Sequence, residues 1–445
     1  MNTTNPSYRQ VTLRVEHVLL LVIALCSFML VNDISAADKL KQQALTATEK
    51  QRPLIDEIAT TLWKFSETAL QEKRSAEFLI ERLKNAGFTV ESNVADLPTA
   101  FVATFGQGAP VIGILAEFDA LPGVGNAPVP ERRARADGVK SGQGCGHNLF
   151  AAASVGGAIA LKNVLAENNL SGTLKLFGTP AEETVVGKVY MAKAGVFDGL
   201  DAVIDWHPGT DNKVKNQPGR AMNNFEVEFF GQAAHGAADP WNGRSALDAV
   251  ELMDYGVNLM REHVKPTTRI HYVISSGGEA PNVVPEYAKV WYFVRDINRE
   301  EVQKYYQRIL KIAEGAALAT ETTHKVHLIT GVHEYLLNRP LQEAMQKNLE
   351  LVGPPKFSET DQEFARTLQR NVGKEEKGFN AKIEPLADEP GPPEGGSTDV
   401  AEVSWIVPTA GFRVATAAES VPWHSWATTA CHGTEAARKA AVVAA

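Results

Sequence analysis

Cysteine is scarce in this chain. Cys26, Cys145 and Cys431 are the only three among 445 residues, too few for the multi-bridge framework of a small secreted scaffold. Positive charge is also short, with 44 Lys and Arg against 53 Asp and Glu and a formal net charge of -9. No basic aromatic stripe or arginine cluster offsets that balance, so nucleic acid is excluded as an expected partner. Internal repeats and low-complexity tracts are missing as well. What remains is globular: 44% hydrophobic and 22% charged residues, in a chain long enough for two domains.

The amino terminus has its own character. An apolar run from Val18 to Val31 follows Arg9 and Arg14 and precedes Ser35-Ala36-Ala37. This is the layout of a secretory signal peptide over residues 1–37, cleaved near Ala36 or Ala37, and it is short for a membrane span. It predicts a periplasmic or secreted protein that begins near Asp38 and has no span after cleavage. An uncleaved anchor is the rival reading.

Periodicity predicts two helices between Ala47 and Gly87, with Glu67 to Glu72 as the bend between them. Strands follow at Phe88 to Val94, Thr99 to Phe105 and Val111 to Ala116, the last delivering Glu117 and Asp119 into a Leu-Pro-Gly turn. An irregular segment, Gly123 to Gly142, borders the Cys145 turn and its small-residue helix. Strand and helix then alternate through His207, as in an α/β domain with a mostly parallel sheet whose ligands gather beyond the strand carboxyl ends. From Asn223 to Thr330 the order becomes βαββαβ, a ferredoxin-like insert. The expected division is 38–218 and 337–445 for a catalytic domain, with 219–336 as a lid.

Candidate chemistry sits at the strand ends. Gly144-Cys145-Gly146-His147 places a thiol and an imidazole on a glycine-flanked turn, which suits a metal site, although a buried cysteine beside a hydrogen-bonded histidine is commoner. A Cys145–Cys431 bridge would abolish that site. Glu182 and Glu183 are adjacent, so one can bind metal while the other reaches a water; an acidic helix start is the plainer alternative. His207 ends an apolar strand, and His424 lies between Trp423 and Trp426, where packing is an alternative. Together Cys145, His147, Glu183, His207 and His424 offer donors for zinc, manganese, cobalt or nickel. Asp119 would stand behind them and orient an imidazole. Glu182 could move the proton of a water activated by two metals. His235, Asn282 and Arg295 are candidates for holding a developing oxyanion or the substrate, against ordinary turn and strand-end roles.

These stretches resemble one family. Leu115 to Gly123, Gly144 to Leu149, Pro180-Ala181-Glu182-Glu183, His235 with Asn242 to Ala246, Asn282-Val283-Val284-Pro285 and Gly396 to Val400 are similar, in this order, to the M20 metallopeptidases. Within them the resemblance is to the amidohydrolase branch and its aminobenzoyl-glutamate hydrolase group. It implies a dinuclear site of Cys145, His147, Glu183, His207 and His424, with the cysteine in place of a bridging carboxylate and Glu182 as general base. It also implies a homodimer built through the insert, His235 reaching the neighbouring copy's metals, and Asn282 and Arg295 gripping substrate oxygens. Asn148 departs from the aspartate of the simpler acylases, the export signal departs from cytoplasmic relatives, and the helix after His424 is short. The implied reaction is amide hydrolysis of N-acyl or N-aroyl amino acids. An exported dipeptidase or carboxypeptidase, and a non-catalytic subunit of a hydrolase that works with a related partner subunit, are the alternatives.

Overall fold

A computed structural model describes residues 36–184, 186–393 and 395–445; the signal-peptide reading therefore falls almost wholly outside the described residues. The chain opens with helices α1 (Ala36–Lys50), α2 (Arg52–Phe65) and α3 (Lys73–Asn85). Strands β1 (Thr89–Ser92), β2 (Phe101–Gln107) and β3 (Val111–Glu117) follow, then α4 (His147–Glu167), β4 (Gly172–Thr179), α5 (Gly187–Lys193), β5 (Ala202–Gly209) and β6 (Lys213–Val214). A second unit carries β7 (Ala221–Phe230), α6 (Ala246–Met260), β8 (Arg269–Ser276), β9 (Tyr287–Asp296), α7 (Arg299–Ala319) and β10 (Thr323–Val332). The first unit resumes with α8 (Arg339–Val352), α9 (Glu359–Asn371), α10 (Val400–Ser404), β11 (Thr409–Ala415), α11 (Trp426–His432) and α12 (Glu435–Ala444).

Among the described residues the first unit holds a seven-stranded sheet in the order β1-β2-β4-β3-β5-β11-β6. It is mixed, not mostly parallel. The inner pairs β4–β3, β3–β5 and β5–β11 are parallel, while β1–β2, β2–β4 and β11–β6 run antiparallel. The connections from β1 to β2 and from β5 to β6 are too short for the crossover that a parallel neighbour needs. The parallel centre is what matters for chemistry, because β3, β4 and β5 all end on one edge of the sheet.

Helix α4 is the spine of this unit. It is long and apolar enough to cross a membrane, yet it lies mostly buried against the sheet and against α2. Its small residues permit the close approach: a Cβ on Gly156 would meet Ile55 Cγ1 at 2.4 Å. Phe150, fully buried on the same helix, packs on Trp206 at 5.6 Å between ring centroids. Burying such a ring contributes about 1.5–3 kcal/mol.

The second unit has the expected βαββαβ element order, with its strands in an antiparallel sheet ordered β10-β7-β9-β8. Burial alternates strictly along β9, as a sheet covered on one face requires. Its core joins Phe225, Val227, Val290 and Tyr292 to Val250, Met253 and Ile309 from the two helices. The final segment differs from the expectation of a single helix: α11 and α12 are separated at Gly433, and Thr434 caps α12 by accepting from Ala437 N.

Candidate metal centre

The Gly144-Cys145-Gly146-His147 turn owes its shape to crowding. Gly146 has φ of 81°, and a Cβ there would stand 2.8 Å from Pro208 Cβ and 2.9 Å from His432 Cε1, so only glycine fits. The turn is bolted from behind. His432 Nδ1 donates to Gln143 O at 2.6 Å, and Asn148 Nδ2 donates to Ala59 O at 3.0 Å and His432 O at 3.2 Å. Asn148 and the Cys431-His432-Gly433 stretch are therefore partners. Cys145 and Cys431 are both free thiols, so the disulfide alternative does not form.

Around this turn the donors converge into two groups that share one atom. Cys145 Sγ lies with His147 and His207 in one, and with Glu183 and His424 in the other, all donor atoms within 4.8 Å of one another in each. Sγ is 3.4 Å from His207 Nε2, and His424 Nε2 is 3.4 Å from Glu183 Oε2. The imidazoles are held ready. His207 Nδ1 donates to Pro208 O at 2.7 Å and His147 Nδ1 to Asp119 Oδ1 at 2.9 Å, which leaves both Nε2 atoms as acceptors on the inner side. Asp119 does more than orient one ring, because its Oδ2 accepts from Glu183 N at 2.9 Å.

These residues fit divalent ions. Buried His147 Nε2, Glu183 Oε1 and Glu117 Oε2 make no hydrogen bond among the described residues, although His147 Nε2 and Glu117 Oε2 stand 3.1 Å apart, an arrangement that a cation would complete. Acid is in excess around them. Burial, followed by Glu117 and Asp399, drives the Glu182 carboxyl well above the usual range, and burial chiefly lifts Glu183 to about 8. Burial and then Glu183 push the Cys145 thiol up to about 12. Bound cations reverse each of these pressures and make thiolate and carboxylates the favoured forms.

Glu182 belongs to neither donor group that contains Cys145 but to a third, with Glu117 and His147, and its Oε2 is 3.9 Å from His147 Nε2. A cleft of about 400 Å³ opens over the cluster, lined by Cys145, Glu182, Glu183, His207 and His424 and, from the other unit, by Arg295. Arg295 is largely buried, and its Nε has no hydrogen-bond partner among the described residues. His235 and Asn282 are elsewhere. Both lie away from the cleft lining; they meet each other, with Gly236 N donating to Asn282 O at 2.8 Å beside a His235–Val283 bridge. His235 Nδ1 accepts from Ala237 N and Ala238 N, both at 3.1 Å, so its proton is on the outward Nε2.

Sequence reasoning gave no role to Lys188, Glu117 or Asp399. Lys188 is fully buried and its ammonium donates to Glu117 Oε1 at 2.7 Å and Asp399 Oδ1 at 2.6 Å. Burial alone would strip its proton, but Asp399 and Glu117 outweigh it and raise its pKa above the ordinary value. A glutamate inside the apolar run Ile114 to Phe118 was the available signal, since a buried carboxylate requires a partner. Trp423 was also missed as a direct neighbour: its indole N–H donates to Cys145 Sγ at 3.4 Å.

A mixed-sheet α/β unit that gathers thiol, imidazole and carboxylate donors for two cations beside a further carboxylate is built for metal-assisted hydrolysis. Known proteins agree. The peptidase dimerisation domain family matches residues 220–321. The chain is 38% identical to the B subunit of the p-aminobenzoyl-glutamate hydrolase of Escherichia coli K12, over 90% of this chain and 88% of that protein. It is 31% identical to the Xaa-Arg dipeptidase of Mus musculus, over 72% of this chain and 73% of that one. Its fold is similar to that of an aminobenzoyl-glutamate utilization protein from Klebsiella pneumoniae, with TM-score 0.59, 18% identity and coverage of 89% and 96%. A dinuclear metal-binding M20 peptidase from Bacillus subtilis gives TM-score 0.55 at 20% identity, covering 89% and 98%. The chain belongs to the M20 peptidase family, in its amidohydrolase branch.

Proposed function

We propose that this chain hydrolyses the amide bond of small N-acyl or N-aroyl amino acids of the p-aminobenzoyl-glutamate kind. Cys145, His147, Glu183, His207 and His424 would hold two divalent ions, Cys145 belonging to both donor groups. Bound there, the ions would acidify a water and polarise the amide carbonyl. Glu182 takes the proton from that water and returns it to the leaving nitrogen. Burial and the neighbouring acids Glu117 and Asp399 raise the proton affinity of Glu182, which suits a base, and cations bound beside it would favour its ionised form. Arg295 binds the substrate's free carboxylate from the lid side of the cleft. The observation that carries the reading is the thiol shared by two donor groups, with Glu182 at their edge in one cleft.

His235 and Asn282 belong to the active site of a second copy in this reading, with residues 219–336 as a ferredoxin-like lid and dimerisation domain between 38–218 and 337–445. The supporting feature is an apolar face on that lid: Leu252, Tyr255 and Leu259 on α6 lie outward, Tyr255 63% and Leu259 59% exposed, and edge strand β8 adds Tyr272 and Ile274. Such a patch marks a protein contact. The chain is exported in this reading, on the strength of the Val18 to Val31 run. A dipeptidase reading draws support from the likeness to Xaa-Arg dipeptidase.

Glu182→Gln tests the assignment. The variant should keep both ions, measured by elemental analysis, and lose roughly a hundred- to ten-thousandfold in kcat on p-aminobenzoyl-glutamate. Turnover near that of the wild type would remove Glu182 from the chemistry. A wild type that binds both ions yet hydrolyses dipeptides alone would favour the second reading, and one that hydrolyses neither a non-catalytic subunit.

A further inference from the structure

Glu72 lies outside the donor set and outside the cleft, yet it is a carboxylate with no solvent exposure. It ends the Glu67–Glu72 bend between α2 and α3. Its Oε1 accepts from Ala181 N at 3.0 Å and its Oε2 from Thr99 Oγ1 at 3.1 Å. Ala181 is a strained position, a non-glycine residue with φ of 58°. The left-handed conformation is disfavoured for a residue with a Cβ, so something must hold it there. Pro180 has no N–H to offer, and the next backbone amide held by a side chain is Glu183 N, on Asp119. The amides on either side of Glu182 are thus each held by a buried carboxylate, Glu72 before it and Asp119 after it.

We propose that Glu72 is a positioning residue, the second jaw of a carboxylate clamp on the turn that carries Glu182 and Glu183. Through that turn it sets the affinity for the ion bound by Glu183 and the direction in which Glu182 points. The inference rests on the metal reading above for its consequence, but the clamp itself is a property of the polypeptide. A residue with two acceptor oxygens is needed because two donors from distant segments, Ala181 N–H and Thr99 O–H, must be met at once. Burial and the nearby charge of Asp119 raise the Glu72 carboxyl to about 7, the cost of crowding two acids behind one turn.

The test uses the full chain and three variants. Glu72→Ala should bind Mn²⁺ about ten- to a hundredfold more weakly, the usual loss when a residue behind a metal ligand is removed. In the metal-free chain, amide exchange in the peptide covering residues 179–184 should accelerate by roughly tenfold or more as the turn opens. Glu72→Asp keeps the charge but withdraws the carboxylate by one methylene, so it should show both effects, and it serves if Glu72→Ala does not fold. Adding Ala181→Gly to either variant should recover part of the Mn²⁺ affinity, because glycine holds a positive φ without a clamp. Wild-type affinity and wild-type exchange in Glu72→Asp would overturn the proposal. So would a loss that Ala181→Gly leaves untouched, since that is the behaviour of a carboxylate with a merely general role in packing. A wild-type chain that binds no Mn²⁺ would defeat the metal reading, and the exchange arm would still decide the clamp.

Discussion

Asp119→Asn changes one atom and should weaken metal binding by more than an order of magnitude. Asp119 Oδ1 accepts from His147 Nδ1 at 2.9 Å and Oδ2 accepts from Glu183 N at 2.9 Å, with the acid 1% exposed. Asparagine has one acceptor for these two donors. If its carbonyl faces His147, its NH2 confronts the Glu183 N–H and a buried donor is left unmet. If it is flipped, His147 must move its proton to Nε2 and ceases to be a ligand. An unmet buried donor costs about 1–3 kcal/mol, roughly five- to a hundred-and-fiftyfold in a binding constant, which overlaps the ten- to a hundredfold usual for such partners. Calorimetric titration of the metal-free chain with Mn²⁺ or Zn²⁺ measures it directly. An Asp119→Asn variant with unchanged affinity at both sites would refute the claim that this carboxylate organises the donors.

Lys188→Met strands Glu117 and Asp399 in the interior and should cost about 3–5 kcal/mol in denaturant unfolding; a loss below about 1 kcal/mol would show the trio is not a closed ionic unit. Glu72 has a folded pKa of about 7 against an ordinary value of 4.5, so the unfolded chain releases this proton first as pH rises. Its favourable contribution is whole below pH 4.5 and is lost between there and about pH 7, so the stability of wild type relative to Glu72→Gln should fall across that window. A difference that stays flat with pH contradicts the shift. Leu259→Glu, on the outward face of α6, should give a monomer in sedimentation analysis and a kcat lower by roughly tenfold or more, if His235 serves the neighbouring copy. A fully active monomer would return His235 to a turn role.

Much of the site was legible because its residues are local to strand ends. Leu115 to Asp119 reads as an apolar strand that releases two acids at its end, and the structure places Asp119 behind His147. The Cys145 turn was legible from its glycines. What escaped were relations between distant segments. Lys188 sits on a short helix with nothing in its neighbours to announce that it will meet Glu117 and Asp399, and Glu72 meets Ala181 across the unit. His424 was among the expected donors, with aromatic packing as its alternative, and its Nε2 stands 3.4 Å from Glu183 Oε2. The sheet departs from the mostly parallel expectation for a physical reason already present in the chain, since β1 and β2 are joined by a loop that cannot cross over. His235 was expected to reach a neighbouring copy's metals and Asn282 to grip the substrate, and within one chain neither lines the cleft.

Amide hydrolysis here should require two ions bridged by Cys145. Stepwise addition of Mn²⁺ to the metal-free chain, with bound metal and hydrolysis of p-aminobenzoyl-glutamate followed in the same samples, puts that requirement to the test. Activity should appear only as the second ion binds, and Cys145→Ala should abolish the tight binding of both. Full turnover with no bound ion, or with one, would contradict it.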